Sequence, residues 1–167
     1  MPRINVADIF TKEKRSWVMS RIRGRNTKID LKMNELLKEI GTKYEMYPKM
    51  SGNPDFVMKE EKIAIFCDGD FWHGYNYRKK RMPRQKFWRE KIEKNMRRDI
   101  RISRRLRYDG WAVLRFWEHD IEKRNSVCVN RIITKIIERR RTTKEAYGFG
   151  TLLTPGTFRE KTNGATD

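Results

Sequence analysis

Residues 66–77, FCDGDFWHGYNY, combine carboxylates, a histidine and large aromatic side chains within a strongly basic chain. Asp68 and Asp70 follow an apolar run, and His73 is one of only two histidines in the sequence. Carboxylate oxygens bind Mg²⁺, and imidazole titrates near neutral pH. This combination favours metal-assisted hydrolysis in which His73 acts as a general acid or base.

The turn that carries His73 is bounded by Gly69 and Gly74, where the backbone can approach a phosphate closely. A lone histidine is often structural, and that interpretation stays open at this point. The position of His73 five residues after Asp68 favours the catalytic interpretation.

Asp55 follows Pro54 in the stretch GNPDF and begins a predicted strand. A second strand, KIAIFCD, comes next, so the two should form a hairpin that brings Cys67 and Asp68 towards Asp55. Acids at neighbouring strand ends can hold Mg²⁺, which takes oxygen ligands. Alternatively, Asp55 caps a turn after the proline.

The longest predicted helix places Asp99 on the same face as Trp88 and Asn95. If this helix crosses the sheet, Asp99 faces the same pocket as His73. An aspartate among arginines is otherwise a salt-bridge partner. Asp30, early in the second helix, is a further candidate of this kind, or else a favourable charge in a first helical turn.

Aromatic side chains flank the predicted site, and rings in basic surroundings can stack on bases or wedge between base pairs. Core packing is the alternative, and we expect it for Trp17, Trp111 and Trp117. Lysines and arginines on the long helix would hold phosphates without reading sequence. The residues expected to contact DNA are Met19, Phe71, Trp72, Trp88, Lys91, Asn95 and Arg98.

The elements that position these residues are predicted in the order α-α-β-β-β-α-β-α. Apolar spacing and capping residues place two helices between residues 11 and 24 and between 27 and 41. Strands follow within KYEMYP, DFVM and KIAIFCD, then a helix over 85–108, a strand over 111–117 and a helix from 125 to 141. This order predicts one α/β domain, residues 1–141, with a small central sheet flanked by helices. Residues 142–167 lack periodicity and are expected to form a flexible tail.

The positive charge belongs to the predicted domain. Forty lysines and arginines against 22 acids give the 167-residue chain a net charge of +18, of which residues 1–140 hold +17. A field of this sign attracts nucleic acid or anionic lipid, and we favour nucleic acid. No apolar run is long enough for a membrane span, and Cys67 and Cys128 fit neither a disulfide framework nor a zinc pattern. We expect a cytoplasmic monomer that binds double-stranded DNA and no membrane.

Five ordered blocks of the sequence resemble the very-short-patch-repair (Vsr) family of DNA mismatch endonucleases. They are KRSWVMSRIRGRNTKID, GNPDFV, IFCDGDFWHG, FWREKIEKNMRRD and GWAVLRFWE, which cover most of residues 11–118. The resemblance implies a restriction-endonuclease-like core, with a mixed sheet between helices. It also implies an enzyme that nicks one DNA strand beside a T:G mismatch.

The same resemblance implies roles for single residues. Asp55 would be the direct Mg²⁺ ligand, together with the main-chain carbonyl of Cys67. His73 would be the catalytic histidine. Asp99 and Asp30 would hold metal-bound water, with Asp30 in place of a family glutamate. The aromatic wedge beside the mismatch would be formed by Phe71, Trp72 and Trp88.

Two departures from the family pattern change these expectations. Well-known members bind a structural zinc near this loop, but the corresponding residues here are a poor zinc set: Asp70, Tyr75, Tyr77 and His119. We therefore expect no structural zinc. Asp68, which stands where the family has histidine, is a further candidate metal ligand. Its added negative charge near the metal would recruit a second ion or alter the affinity of the site for the metal.

Three functions stay open on the sequence. The first is a Mg²⁺-dependent enzyme that nicks DNA beside a mismatch during repair. The second is a nuclease of the same fold with another target, such as a homing or restriction-like enzyme. The third is a catalytically inactive DNA-binding protein.

Overall fold

The computed structural model describes residues 11–21, 24–78, 83 and 85–148 of the chain. Within these ranges it contains ten elements. They are α1 (Lys12–Arg21), α2 (Lys28–Ile40), β1 (Glu45–Met46), β2 (Phe56–Met58), β3 (Ile63–Asp68), α3 (Tyr75–Arg78), α4 (Lys86–Tyr108), β4 (Ala112–Trp117), α5 (Glu118–Lys123) and α6 (Asn125–Gly148).

The four strands form one mixed sheet in the order β1-β2-β3-β4. The pairs β1–β2 and β2–β3 are antiparallel, whereas β3 and β4 are parallel and pair along six residues. Parallel neighbours need a crossover connection, and α4 is the helix in that crossover. This confirms the predicted α/β class and the small mixed sheet between helices.

The sheet is covered on both faces, so β2 and β3 are buried along their whole length. One face packs against α2, α5 and α6, around residues such as Met33, Phe116 and Ile132. The other face packs under α4, around Val57, Phe66 and Leu106. Because side chains alternate along a strand, successive residues at the end of β3 serve different faces.

The second helix has the boundaries that its capping residues predict. Thr27 is the N-cap and forms a capping box with Asp30, in which each side chain accepts from the other residue's backbone N–H. Gly41 ends the helix in the left-handed conformation, with φ of 71°. This fixes Asp30 in the first turn of α2.

The structure differs from the sequence prediction at three elements. The short helices α3 and α5 were not expected, and α6 continues seven residues beyond the predicted end at residue 141. The hydroxyls of Thr142 and Thr143 donate to the carbonyls of Glu138 and Arg139, four residues earlier, so polar side chains are accommodated within this last part of the helix. The rest of the predicted tail, 149–167, lies outside the described residues. Within the described ranges, none of the helices has the length and apolar character that a membrane crossing requires.

Candidate active site

Asp55 joins the ends of two strands at one corner of the sheet. It precedes β2 directly, its backbone N–H donates to Ile65, and its Oδ2 accepts from the N–H of Cys67 at 2.7 Å. In an extended strand the N–H and C=O of one residue point to the same edge. The carbonyl of Cys67 is therefore directed to the same edge as the Asp55 carboxylate.

Asp30 completes a small cluster at this corner. One oxygen from Asp30, one from Asp55 and the Sγ of Cys67 lie within 4.8 Å of one another. Asp30 is 3 % exposed, and its Oδ2 accepts from the N–H of Thr27 and from the hydroxyl of Tyr47, each at 2.9 Å. Asp30 is thus both a helix-capping residue and a member of the cluster.

The chemistry of this cluster fits a hard divalent cation. Burial raises the pKa of Asp55 to about 6, and the nearby carboxylates of Asp30 and Asp68 act in the same direction. Burial also raises the pKa of the Cys67 thiol, which therefore stays neutral at physiological pH. Because Mg²⁺ takes oxygen ligands, the two carboxylates and the Cys67 carbonyl form the suitable donor set. A cation there would relieve the repulsion that raises the pKa of Asp55.

His73 is paired with Asp99 on the α4 side of the sheet. Its Nδ1 lies 2.6 Å from Asp99 Oδ2, and within the described residues its Nε2 has no hydrogen-bond partner. Burial opposes ionisation of Asp99, but the hydrogen bond from His73 and the positive charge of Arg115 lower the pKa of Asp99 below its usual value. The dyad thus consists of an ionised carboxylate that orients an imidazole. The structure places these two candidate residues from the sequence, His73 and Asp99, in direct contact.

The loop that carries His73 is held tightly against α4. Gly74 has φ of +79°, and a Cβ there would lie 2.5 Å from the sulfur of Met96. The side-chain amide of Asn95, which was predicted to contact DNA, donates to the carbonyl of Trp72 at 3.0 Å. In this structure Gly74 permits close packing on the helix, and Asn95 fastens the loop to it.

Asp68, which the sequence predicted to be a metal ligand, is paired with Arg115 in the structure. Its side chain lies on the α4 face, and its Oδ1 and Oδ2 each accept a 2.6 Å hydrogen bond from Arg115. Its carboxylate does not belong to the three-residue cluster described above. Alternation along β3 turns Cys67 and Asp68 to opposite faces of the sheet. The negative charge of Asp68, which the sequence prediction placed beside the metal, is therefore balanced by the partly buried Arg115.

A cavity of about 340 Å³ lies beside the dyad. Two exposed arginines, Arg104 and Arg107, are among its lining residues, together with Trp117. Arg98 is also exposed, and its Nη2 lies 3.4 Å from Asp99 Oδ1. The dyad thus opens towards a concave, positively charged surface that suits a phosphate backbone.

The predicted aromatic wedge is one cluster of rings at the start of α4. Trp88 is 7 % exposed and lies edge-on to Phe71, Trp72 and Phe87, with ring centres 4.9 to 6.1 Å away. Phe71 is 42 % exposed, so it is available to DNA, whereas Trp88 supports the rings from below. Trp17 is 55 % exposed and stacks with Arg21 instead of entering the core, which corrects that expectation. The side chain of Met19 lies outside the described residues.

Comparison with known proteins gives the chain's family. Residues 7–79 match the family model described as DNA mismatch endonuclease Vsr. The chain is 35% identical over 136 residues to the DNA mismatch endonuclease Vsr of Escherichia coli K12, covering 80% of this chain and 87% of that protein. The chain belongs to the Vsr family. It is therefore a DNA endonuclease, a hydrolase.

Other relatives agree with this assignment. The chain is 36% identical over 129 residues to the type II nicking enzyme V.NmeDIP of Neisseria meningitidis serogroup C, covering 75% of this chain and 87% of that protein. It is 38% identical over 121 residues to the type II nicking enzyme V.HpaIIP of Haemophilus parainfluenzae, covering 70% and 86% respectively. The Vsr assignment thus extends well beyond the segment matched by the family model.

Of the four residues that the resemblance places at zinc-ligand positions, three form a hydrogen-bonded and stacked group: Asp70, Tyr75 and His119. The Nδ1 of His119 lies 2.8 Å from an oxygen of Asp70, and Tyr75 packs on the imidazole with ring centres 4.3 Å apart. The hydroxyl of Tyr77 donates to Glu93 on α4. These contacts connect the loop to α4 and α5.

Three residues of this Vsr-family site were missed by the sequence analysis: Tyr47, Arg115 and Glu118. Tyr47 holds Asp30, and Glu118 accepts from the backbone N–H of Asp70 at 3.2 Å. A charged residue within the apolar strand AVLRFW is a signal that could have identified Arg115. The sequence has no comparable signal for Tyr47, whose φ is +54°.

Proposed function

We propose that this Vsr-family endonuclease requires Mg²⁺ and nicks one strand of duplex DNA beside a T:G mismatch. The observation that carries the proposal is the convergence of two groups, the Asp30–Asp55–Cys67 cluster and the His73–Asp99 dyad. Cys67 of the cluster is followed in β3 by Asp68, whose Oδ1 lies 3.4 Å from Nδ1 of His73. A metal-ligand set beside an oriented imidazole is the arrangement that phosphodiester hydrolysis needs.

In this proposal the chain supplies the metal ligands from two strands and one helix. Asp55 and the carbonyl of Cys67 would hold Mg²⁺ directly, and Asp30 would orient its hydration. When bound, the ion polarises the scissile phosphate and lowers the pKa of water. Tyr47 and Thr27 keep Asp30 in place by donating to its Oδ2.

His73 is the proposed proton-transfer residue. Its Nδ1–H donates to Asp99, which leaves Nε2 as the atom that accepts or returns a proton at the reacting phosphate. Asp99 stabilises this tautomer and the positive charge that forms on the ring. We propose this positioning role for Asp99 in place of the contact with metal-bound water that the resemblance implies.

The DNA contacts are proposed on the surface around the dyad. Phe71 and Trp72 would wedge beside the mismatch, supported by the buried ring of Trp88. Lys91 and Arg98, with Met19 from α1, would contact the adjoining DNA. The enzyme would act in the cytoplasm as a monomer. Gel filtration of the protein with and without a short duplex tests the monomeric state.

A cleavage assay on paired substrates tests the function. The substrates are end-labelled duplexes that differ only in carrying T:G or T:A, each incubated with Mg²⁺ or EDTA. We expect one nick, in one strand, only in the T:G duplex with Mg²⁺. Equal cutting of both duplexes would favour the same-fold nuclease with another target. Salt-sensitive binding without any cutting would favour the inactive DNA-binding protein.

A further inference from the structure

Arg115 is a charged residue in the middle of an apolar strand, and its guanidinium is fixed on several sides. Nε and Nη2 donate to the two oxygens of Asp68, and Nη1 donates to Ser103 Oγ at 3.5 Å. The guanidinium carbon also lies 4.6 Å from the centre of the Phe66 ring. Burial opposes the charge, but the hydrogen bonds to Asp68 raise the pKa of Arg115, which stays a cation.

Two carboxylates lie close to the same nitrogen of His73. Its Nδ1 is 2.6 Å from Asp99 Oδ2 and 3.4 Å from Asp68 Oδ1. Both oxygens of Asp68 are engaged by the fork of Arg115, whereas Oδ2 of Asp99 is left to the imidazole. The Nη2 of Arg115 also reaches Oδ1 of Asp99 at 3.4 Å. Arg115 therefore binds Asp68, the carboxylate that competes with Asp99 for the imidazole. It also contacts Oδ1 of Asp99, the oxygen that the imidazole does not use.

We infer that Arg115, held by Asp68, is a positioning residue that directs Nδ1 of His73 to Asp99 and so presents Nε2 to the DNA. The inference rests on the proposed role of His73 and adds a residue to it. In this inference Arg115 acts through the imidazole of His73. Its contribution is to decide which of two nearby carboxylates orients the imidazole.

Replacing one partner or both partners separates this role from ordinary stabilisation. Arg115→Met leaves Asp68 without its cation, 3.4 Å from Nδ1, and cleavage at saturating DNA should fall about 10–100-fold, as for other residues that orient a functional histidine. Adding Asp68→Leu removes the competing carboxylate. The double variant should therefore cut at least several-fold faster than Arg115→Met alone, since replacing a whole buried ion pair by apolar residues is often tolerated.

A second arginine–carboxylate pair, in which the carboxylate is buried and the arginine is more exposed than Arg115, provides a control. Arg140 donates from Nε and Nη2 to one oxygen of Glu61, at 2.9 and 2.6 Å, and Glu61 is 4 % exposed. Glu61 lies just before the start of β3 and Arg140 lies in α6, whereas Asp68 ends β3. Arg140→Met should lower the melting temperature as Arg115→Met does, but leave the rate of cleavage at saturating DNA unchanged.

Histidine NMR supplies a readout that does not depend on activity. The chain has two histidines, so the ¹⁵N resonances of His73 can be assigned with a His119→Gln variant. We expect His73 to be protonated at Nδ1, to lose this pattern in Arg115→Met, and to regain it in the double variant. If Arg115→Met does not fold, Arg115→Lys keeps the charge but loses the fork, and should show the same spectral change with a smaller loss of rate.

The outcomes distinguish this inference from the proposed function. Normal cleavage and an unchanged His73 spectrum in Arg115→Met, or in Arg115→Lys if that is the variant that folds, would overturn the positioning role and leave the function intact. A rate in the double variant no better than in Arg115→Met would also overturn it. Normal cleavage by His73→Gln would instead overturn the proposed proton-transfer role of His73, on which the inference rests.

Discussion

The two histidines of this chain form two similar pairs in different surroundings. His73 and His119 each place Nδ1 within 2.8 Å of an aspartate oxygen, on Asp99 and Asp70 respectively. The Nε2 of His119 lies 3.4 Å from Asp120, and its ring packs on Tyr75. His73 instead lines a cavity with arginines, beside a carboxylate cluster. A histidine–aspartate pair alone does not define a catalytic histidine, because the function of the imidazole depends on what surrounds its Nε2.

Exchanging each histidine for glutamine tests this comparison most strongly. His73→Gln should reduce cleavage at saturating DNA by roughly 10²–10⁴-fold, the usual contribution of general acid–base catalysis, with little change in DNA affinity. His119→Gln should leave that rate nearly unchanged and lower the free energy of unfolding by about 1–2 kcal/mol through the weakened bond to Asp70. Single-turnover cleavage and thermal denaturation measure the two effects. Equal rates in the two variants would break the comparison.

The two aspartate partners should differ in the same way, with a smaller effect. Asp99→Asn can no longer hold the Nδ1–H tautomer as an ionised acceptor, so cleavage should fall by about 10²-fold. Asp70→Asn, the matched change, should mainly affect stability. The pH profile of the cleavage rate is the sharper readout, because a shift in Asp99→Asn but not in Asp70→Asn is expected only if Asp99 acts through the imidazole.

The Asp30–Asp55–Cys67 cluster predicts an unusual dependence of stability on pH. Burial raises the pKa of Asp55 from 3.8 to about 6, so between these values the metal-free folded protein binds more protons than the unfolded chain. The contribution of Asp55 to the free energy of unfolding should therefore fall as pH rises from about 4 to 6, by up to about 3 kcal/mol. Asp55→Asn should flatten this decline and abolish cleavage, and Mg²⁺ should counteract the decline in the native protein.

Urea denaturation across this pH range, with and without Mg²⁺, makes the measurement. Asp109→Asn is the control, because Asp109 is an acid at the far end of α4 that pairs with Arg105. That variant should keep the full decline. A difference in free energy of unfolding between the native protein and Asp55→Asn that stays constant between pH 4 and 6 would contradict the environment described for Asp55.

The smallest expected effect concerns the loop between Asp70 and His73. Trp72→Ala removes a half-buried ring from the aromatic cluster, and stacking of this kind is worth about 1–3 kcal/mol per base. The preference for T:G over T:A duplex should fall by about tenfold, more than the affinity for matched DNA. Tyr108→Ala, an exposed ring near the other end of α4, should change neither. An unchanged mismatch preference in Trp72→Ala would show that this ring serves only packing.

The sequence was most informative where local signals determine structure. The caps of α2 and the apolar content of the strands gave those elements nearly at their observed boundaries, and the family resemblance supplied the fold. The relation between His73 and Asp99 was anticipated because helical spacing and the crossover constrain which face of α4 meets the sheet. These predictions needed no knowledge of distant pairings.

The sequence was least informative where the register between strands determines the partner. Arg115 pairs with Asp68 across 47 residues because parallel pairing sets Phe66 opposite Arg115 and Asp68 opposite Trp117. A shift of one residue would turn the arginine to the other face. Tyr47 was missed for a different reason, since its left-handed backbone is imposed by tertiary contacts and is rare for a bulky residue.

The crossover between β3 and β4 has a consequence for biosynthesis. A nascent polypeptide that has emerged only as far as residue 79 already contains Asp30, Asp55 and Cys67, but neither Asp99 nor Arg115. Both arrive with the 23-residue helix α4 and the strand after it, so the complete centre must await docking of the second parallel strand. Truncated translation products that end before β4 should therefore be unable to cleave DNA.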